Sequence, residues 1–286
     1  MSRAPAFLLI AALTVSACDK LPGRGPDLGI DKDKLEAAID PSVGGPDTCF
    51  VVKDVATGRE AYRYGVESVC NRPLAPCGTF QVPLTVLALS DAKLNPAEVA
   101  KWDGKVQPYK LWEQDTDLAG AWRTGAAWYF QKAALAVGLD RFKQQLPAFG
   151  YGQAKPVGRP DGFWMGPAAG GGLYLSTRDQ AEFLRKLAKA ELPAKPEAQA
   201  AVSRLMIDES RGQTVLADLG ATCPSIADAS RDVSWWIGRI SGPAPGGKRR
   251  DLVFALSIDS QNPLSGLEIS HRMKPILVSQ GLLPAS

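Results

Sequence analysis

The order of signals along the chain predicts an α+β domain, in which both chain ends build one antiparallel sheet and a helical lobe is inserted between them. Two observations carry this expectation. Strand-like segments lie near the start and near the end of the 286 residues, while the stretch between them has helical periodicity. The two late strands are separated by a Gly- and Pro-rich connector, Pro243 to Gly247, which suits an antiparallel hairpin.

Each element has a local reason. Cys49 to Val52 and Glu60 to Tyr64 flank Thr57-Gly58, giving a strand, a turn and a strand. Helix-period segments follow over about 79–89 and about 118–137, the second closed by Gly138, and a third over 139–149. Ser176 opens a fourth helix as its N-cap, where a hydroxyl satisfies free backbone N–H groups; Phe183, Leu184 and Leu187 form its apolar face. Val233 to Ile237 and Leu252 to Ile258 read as the two late strands, and 267–281 as a terminal helix. The run Lys248-Arg249-Arg250 between the late strands reads as a solvated hairpin tip. Gly170-Gly171-Gly172 lacks the following Lys-Ser/Thr of a phosphate loop and reads as a flexible surface connector.

Composition sets outer limits. With 45% apolar and 22% charged residues the chain can bury a large core, as one domain or two lobes. A net charge of +3 argues against nucleic-acid binding. At the start, Arg3 is followed by an apolar stretch from Ala6 to Val15, too short to cross a bilayer, and then by Ser16-Ala17-Cys18. This resembles the bacterial lipobox, in which the cysteine is acylated and becomes the mature N-terminus. Residues 1–18 are therefore expected to be a lipoprotein signal. Residues 19–46, rich in Gly, Pro and Asp, are expected to form a flexible tether, and 47–286 the folded body. Such a protein would sit on the periplasmic side of a bacterial membrane, held through lipid on Cys18. Setting Cys18 aside leaves Cys49, Cys70, Cys77 and Cys223, an even number in an oxidising compartment, with three pairings open. With one histidine, His271, and no C-x-x-C pair, neither a metal nor a cofactor is expected.

The informative stretch is Ala75-Pro76-Cys77-Gly78-Thr79-Phe80-Gln81-Val82-Pro83. It resembles the active-site helix start of class D (oxacillinase-type) serine β-lactamases, where Ser-Thr-Phe-Lys stands. The resemblance continues in order through Lys101-Trp102-Asp103-Gly104, Trp112-Glu113-Gln114-Asp115, Gln131, Phe149-Gly150-Tyr151-Gly152, Phe163-Trp164 and Val233 to Gly238, covering most of the chain from Cys49 onward. It implies the serine β-lactamase and penicillin-binding transpeptidase fold: an antiparallel sheet flanked by helices, plus a helical lobe, with a cleft between them.

The resemblance also implies a mechanism, and the chain departs from it at four places. In that family a serine attacks the lactam carbonyl. An N-carboxylated lysine one turn later is the base, because positions i and i+3 share a helix face. A Ser-x-Val serine relays protons, and a Lys-Thr-Gly strand holds the substrate carboxylate. Here Gly78 stands at the nucleophile and Gln81 at the lysine, and an amide neither ionises nor carries a carbamate. Gly125-Ala126-Ala127 stands at the relay motif, and Asp218-Leu219-Gly220 at Lys-Thr-Gly, where Asp218 is expected to repel a carboxylate. The family's carboxylate-binding arginine has no counterpart in register; Arg272 is one turn away. Cys77 or Thr79 could replace the nucleophile only across a rotation of about 100° about the helix axis. Trp164, whose family counterpart steadies the carbamate, is expected to line a pocket, as are Trp102, Trp112, Trp235 and Trp236 to form core or cleft wall.

The reading is a catalytically degenerate member of this family, with Cys77, Thr79, Tyr151, Gln153, Trp164 and Gly220 as cleft residues. The occupant would be a small or peptidoglycan-related molecule, or an envelope protein on the surface. A divergent acyl-transfer hydrolase using other residues, or a structural envelope lipoprotein with an inert cleft, are the alternatives. The anchor is directly testable: wild-type protein should fractionate with membranes and carry lipid by mass spectrometry, and Cys18→Ala should abolish both, because two or more acyl chains hold where one does not. A soluble, unacylated wild type would exclude the anchor.

Overall fold

The structure is a computed structural model, which describes residues 28–152, 156–166, 170–225, 228, 230–244 and 247–285. Six strands form one sheet: β1 (Thr48–Asp54), β2 (Glu60–Tyr64), β3 (Ile207–Arg211), β4 (Thr214–Pro224), β5 (Asp232–Pro243) and β6 (Arg249–Ser260). Their order is β2-β1-β6-β5-β4-β3, every pair antiparallel. The helices are α1 (Lys32–Ile39), α2 (Glu67–Cys70), α3 (Gln81–Ser90), α4 (Leu118–Thr124), α5 (Ala127–Val137), α6 (Leu139–Phe149), α7 (Thr177–Ala188), α8 (Pro196–Leu205) and α9 (Gly266–Ser279). The α+β class and the sheet shared between both chain ends are as expected.

The central strands β1, β5 and β6 are buried on both faces, their successive side chains pointing to opposite sides of the sheet. On one side Cys49 and Val51 of β1, Trp235 and Ile237 of β5, and Val253 and Ala255 of β6 join the core of the helical lobe. On the other side Phe50, Val52, Trp236, Ile240, Leu252, Phe254 and Leu256 form a second core with α1 and α9. The adjacent tryptophans 235 and 236 thus anchor different cores. Burial on both faces explains why these strands read as unbroken apolar runs.

Helix ends follow their local chemistry. Ser176 caps α7 and Ser265 caps α9, each in a reciprocal capping box, with Asp179 and Glu268 three residues on. Gly138 ends α5 with φ +84°. Two disulfides join the body cysteines, Cys49–Cys70 and Cys77–Cys223. They close 21 and 146 residues, so in the chain-entropy picture they contribute about 3 and about 5 kcal/mol by restricting the unfolded chain.

Several expectations are corrected. The tether cannot run to Pro46: α1 lies inside it, capped by Asp31, and buries Leu35, Ile39 and the following Val43 against α9 and the sheet. The helix expected over 118–137 is two, because Gly125 takes a left-handed φ of +67° that ends α4. The basic run is not all solvated: Arg250 is buried and donates to the carbonyls of Gly281 and Leu282, tying β6 to the chain end. Gly171 and Gly172 are no loose connector. Their N–H groups bond Gly166 O and Phe163 O at 2.8 and 3.0 Å, and a Cβ on Gly171 would lie 2.7 Å from those same oxygens. β3 and α8 carry no signal in the sequence reading, and β4 enters it only through Asp218-Leu219-Gly220 at the family's Lys-Thr-Gly strand. Residues 1–27, with Cys18, lie outside the described residues, as does Gln153.

If α1 is core, Leu35→Ala should lower the unfolding free energy by about 2–4 kcal/mol in denaturant titration. A residue in a solvated tether would change it by less than about 0.5 kcal/mol.

Candidate functional site

The stretch aligned with the family's nucleophile is held by three neighbouring parts of the chain. Residues 77–80 form a short 3-10 turn leading into α3. Cys77 takes a left-handed φ of +53°, and its N–H donates to Trp164 O at 3.1 Å. Its sulfur is bonded to Cys223 of β4, and Trp235 Nε1 of β5 donates to Ala75 O at 2.8 Å. Gly78 is therefore pressed against β4: a Cβ built on it would stand 3.2 Å from Ala221 Cβ. Such a contact is tight, so a side chain here would require Ala221 to give way.

Gln81 is buried one turn further on, and its Nε2 has no hydrogen-bond partner. Neither neighbour of Gly78 is available as a nucleophile. Cys77 is oxidised, and Thr79 is fully buried with its hydroxyl donating to Pro76 O at 2.6 Å.

A cleft of ≈ 610 Å³ brings together the other two departures. Gly125, at the end of α4, lies in its wall with Asp218, Leu219 and Gly220 of β4 and Gly266, Ser270, His271 and Lys274 of α9. Gly78 and Gln81 are not part of that lining. Gly220 is required by packing: a Cβ there would fall 2.5–2.9 Å from the backbone of Gly266, so the glycine lets α9 approach β4. Arg123, His271 and Lys274 are the basic side chains of this cleft, beside the carboxylates of Asp208 and Asp218; the sequence reading placed none of these three basic residues at the site. Ser270 and Lys274, four apart on an amphipathic helix, were the available signal.

Asp218 does not act as an isolated repelling charge. Its Oδ2 accepts from Trp236 Nε1 at 2.6 Å and Ser270 Oγ at 2.8 Å. Burial raises its pKa above the usual carboxylate range, outweighing those bonds and the nearby Lys274 ammonium. Burial works against the Lys274 charge, but its bond to Asp208 and the charges of Asp218 and Asp208 hold its pKa above the ordinary lysine value. The expectation of simple repulsion is therefore corrected: a cation from α9 lines the same cleft. Arg272 points elsewhere and donates to Ser42 O at 2.9 Å.

Of the other cleft candidates, Tyr151 is fully buried, its ring 4.7 Å from Phe183 and 6.1 Å from Phe80, and burial pushes its phenol pKa up. Trp164 stacks on Phe80 at 4.9 Å with 21° between the rings. Thr79, Tyr151 and Trp164 are core, not cleft, because the aromatic cluster around Phe80 encloses them. Among the described residues no group of three or more His, Cys, Asp or Glu is placed to hold a metal ion.

The raised pKa of Asp218 has a stability consequence with a definite sign. The carboxyl is neutral in both states below its unfolded pKa of about 3.9, and the stability associated with that form is lost as pH rises through the higher folded pKa. Asp218→Asn keeps an acceptor for Trp236 and Ser270 without the charge. It should melt above wild type at pH 7, and the difference should shrink towards pH 4. A variant less stable than wild type at pH 7 would contradict this.

Comparison with known proteins agrees with this architecture. The penicillin binding protein transpeptidase domain family matches residues 48–222. Two β-lactamases of Pseudomonas aeruginosa are similar in sequence. OXA-20 is 28% identical over 83% of this chain and 84% of its own, and OXA-19 is 30% identical over 73% and 75%. Among solved structures, a class D β-lactamase from Bacillus subtilis superposes with a TM-score of 0.72 at 28% identity, over 86% of this chain and 97% of that one. The C-terminal domain of the Bacillus licheniformis BlaR penicillin-receptor does so with 0.74 at 25%, over 87% and 96%. The sheet with its two cores, the turn at Gly78 against β4 and these similarities lead to one conclusion: the chain belongs to the family of class D serine β-lactamases and penicillin-binding transpeptidase domains.

Proposed function

We propose that this protein is a non-catalytic member of its family, a lipid-anchored binding protein on the periplasmic side of a bacterial membrane, whose cleft or surface receives a small or peptidoglycan-related molecule or an envelope partner. The observation that carries the proposal is Gly78. There is no oxygen at the attacking position, and a Cβ there would stand 3.2 Å from Ala221 Cβ, a tight contact. Gln81 adds no base, Gly125 no relay hydroxyl, and the flanking Cys77 and Thr79 are committed to a disulfide and a buried hydrogen bond. Nucleophile and base act as a unit, so loss of either removes most of the catalysis.

The cleft itself supports binding. Its ≈ 610 Å³ falls in the range of small-ligand pockets, with apolar walls from Trp122, Leu205 and Met206 and polar groups from α9. The description of the similar BlaR domain as a penicillin-receptor supports a receptor role for the fold. Export to an oxidising compartment is supported by the two disulfides.

The test is activity. Wild type should show nitrocefin turnover no higher than the buffer background and no adduct with a fluorescent penicillin. Gly78→Ser alone supplies a hydroxyl without a base, and Gln81→Lys alone a base with nothing to deprotonate, so neither should gain activity. The quadruple variant Gly78→Ser, Gln81→Lys, Gly125→Ser, Asp218→Lys should also stay unlabelled, because Ala221 crowds position 78. It should also lose about 1–2 kcal/mol at position 125, where a side chain must adopt a left-handed φ. Nitrocefin turnover by wild type that a single substitution in this cleft abolishes would overturn the proposal in favour of a divergent hydrolase.

A further inference from the structure

A second cavity, of ≈ 270 Å³, lies on the helical-lobe side of the sheet, where the C-terminal ends of α7 and α8 overhang β4, β5 and β6. It arises from the register. Ala217, Arg239 and Val253 stand side by side across the three strands, with Val215 and Ser241 in the next row. The small Ala217 and Val253 leave room beneath the overhang. The floor is apolar and buried: Leu184, Leu187 and Met206 join Ala217 and Val253 there.

The mouth is cationic. Arg239 lies in the wall and forks onto Asp251, with Nε to Oδ1 at 2.6 Å and Nη2 to Oδ2 at 2.5 Å. That pair is electrically balanced. Arg204, near the end of α8, is exposed at the rim and makes no side-chain hydrogen bond or ion pair among the described residues. Two guanidinium groups therefore face one carboxylate, leaving one unspent positive charge above an apolar hole. The hydroxyls of Ser203 and Ser241 are the other polar groups in the lining.

We infer that this cavity binds a small amphiphilic anion, a carboxylate on a chain of about six to eight carbons, with the tail on the Leu184–Val253 floor and the carboxylate at Arg204. Charge selects the head group, since a guanidinium and a carboxylate pair with two parallel hydrogen bonds. Size selects the tail: at roughly 30 Å³ for each water-sized group, the cavity holds about nine such groups. The composition, mostly apolar with a few placed polar groups, is that of small-molecule sites generally. This site is distinct from the cleft lined by Gly125 and Asp218, although Met206 and Ile207 lie in the walls of both cavities.

The experiment titrates octanoate, with octylamine as the control of equal tail and opposite charge. The full chain carries Cys18→Ala, so that no acyl anchor or detergent competes. Octanoate should bind saturably by calorimetry at millimolar or lower concentration and raise the melting temperature as ligand accumulates; octylamine should do neither. Arg204→Gln should weaken octanoate at least tenfold. Ser203→Phe, which fills the cavity from a half-exposed helix position, should abolish binding while the protein still melts cooperatively. Absence of saturable octanoate binding, equal binding of octylamine, or octanoate binding unchanged in Arg204→Gln would each overturn the inference. Since the probe contains no lactam or peptide, the outcome is independent of whether the family site at Gly78 is catalytic.

Discussion

The central strands β5 and β6 have water on neither face, and most of the architecture follows from that constraint. A strand buried on both sides must be covered on both sides. The helical lobe covers one face, and α1 and α9 cover the other. Burial of apolar area at about 25 cal/mol per Å² makes any uncovered stretch of such a sheet costly, so even the segment leading into β1 is drawn in as a helix. The buried Arg250, bonded to the carbonyls of Gly281 and Leu282, closes the same layer at the chain's other end.

The same packing explains how the turn at Gly78 keeps its shape. The turn at Gly78 is held by a disulfide to Cys223, by the indole of Trp235 on Ala75 O and by the backbone of Trp164. None of these contacts uses an attacking group or a base. Gly78 and Gln81 at those two positions therefore leave the support of the turn intact. In the wall of the cleft, Asp218 bonds to Trp236 and Ser270, and so serves as a half-buried acceptor joining β4, β5 and α9.

Legibility varied with how much of each signal was local. β1, β2, β5 and β6 were visible because apolar runs and turn residues are properties of the chain itself. β3 was not: Ile207 to Arg211 is a polar edge strand, half of it facing solvent, and nothing in its composition distinguishes it from a loop. α1 was hidden by the surrounding Gly, Pro and Asp, since its stability comes from the packing of Leu35 and Ile39 rather than from helix propensity. At the site, the four departures follow from the resemblance, and two of them, Gly125 and Asp218, line one cleft, while Gly78 packs against β4, the strand that carries Asp218. Thr79, Tyr151 and Trp164 were misplaced as cleft residues, because whether an aromatic lines a cavity or fills a core depends on neighbours such as Phe80 and Phe183 that are distant in sequence.

By itself the sequence determined the α+β class, the family and the absence of an oxygen and an amine at positions 78 and 81, since residue identity needs no geometry. It also set an even number of body cysteines but left three pairings open. Only the tertiary structure decided that Cys49 joins Cys70 and Cys77 joins Cys223, because pairing depends on which strands lie side by side. Only it decided that Gly78 is crowded by Ala221, that Asp218 is half-buried and hydrogen-bonded to Trp236 and Ser270, and that Arg204 overhangs an apolar cavity. Each of these is a distance between residues far apart in the chain, set by sheet register and helix packing, and no local pattern encodes it.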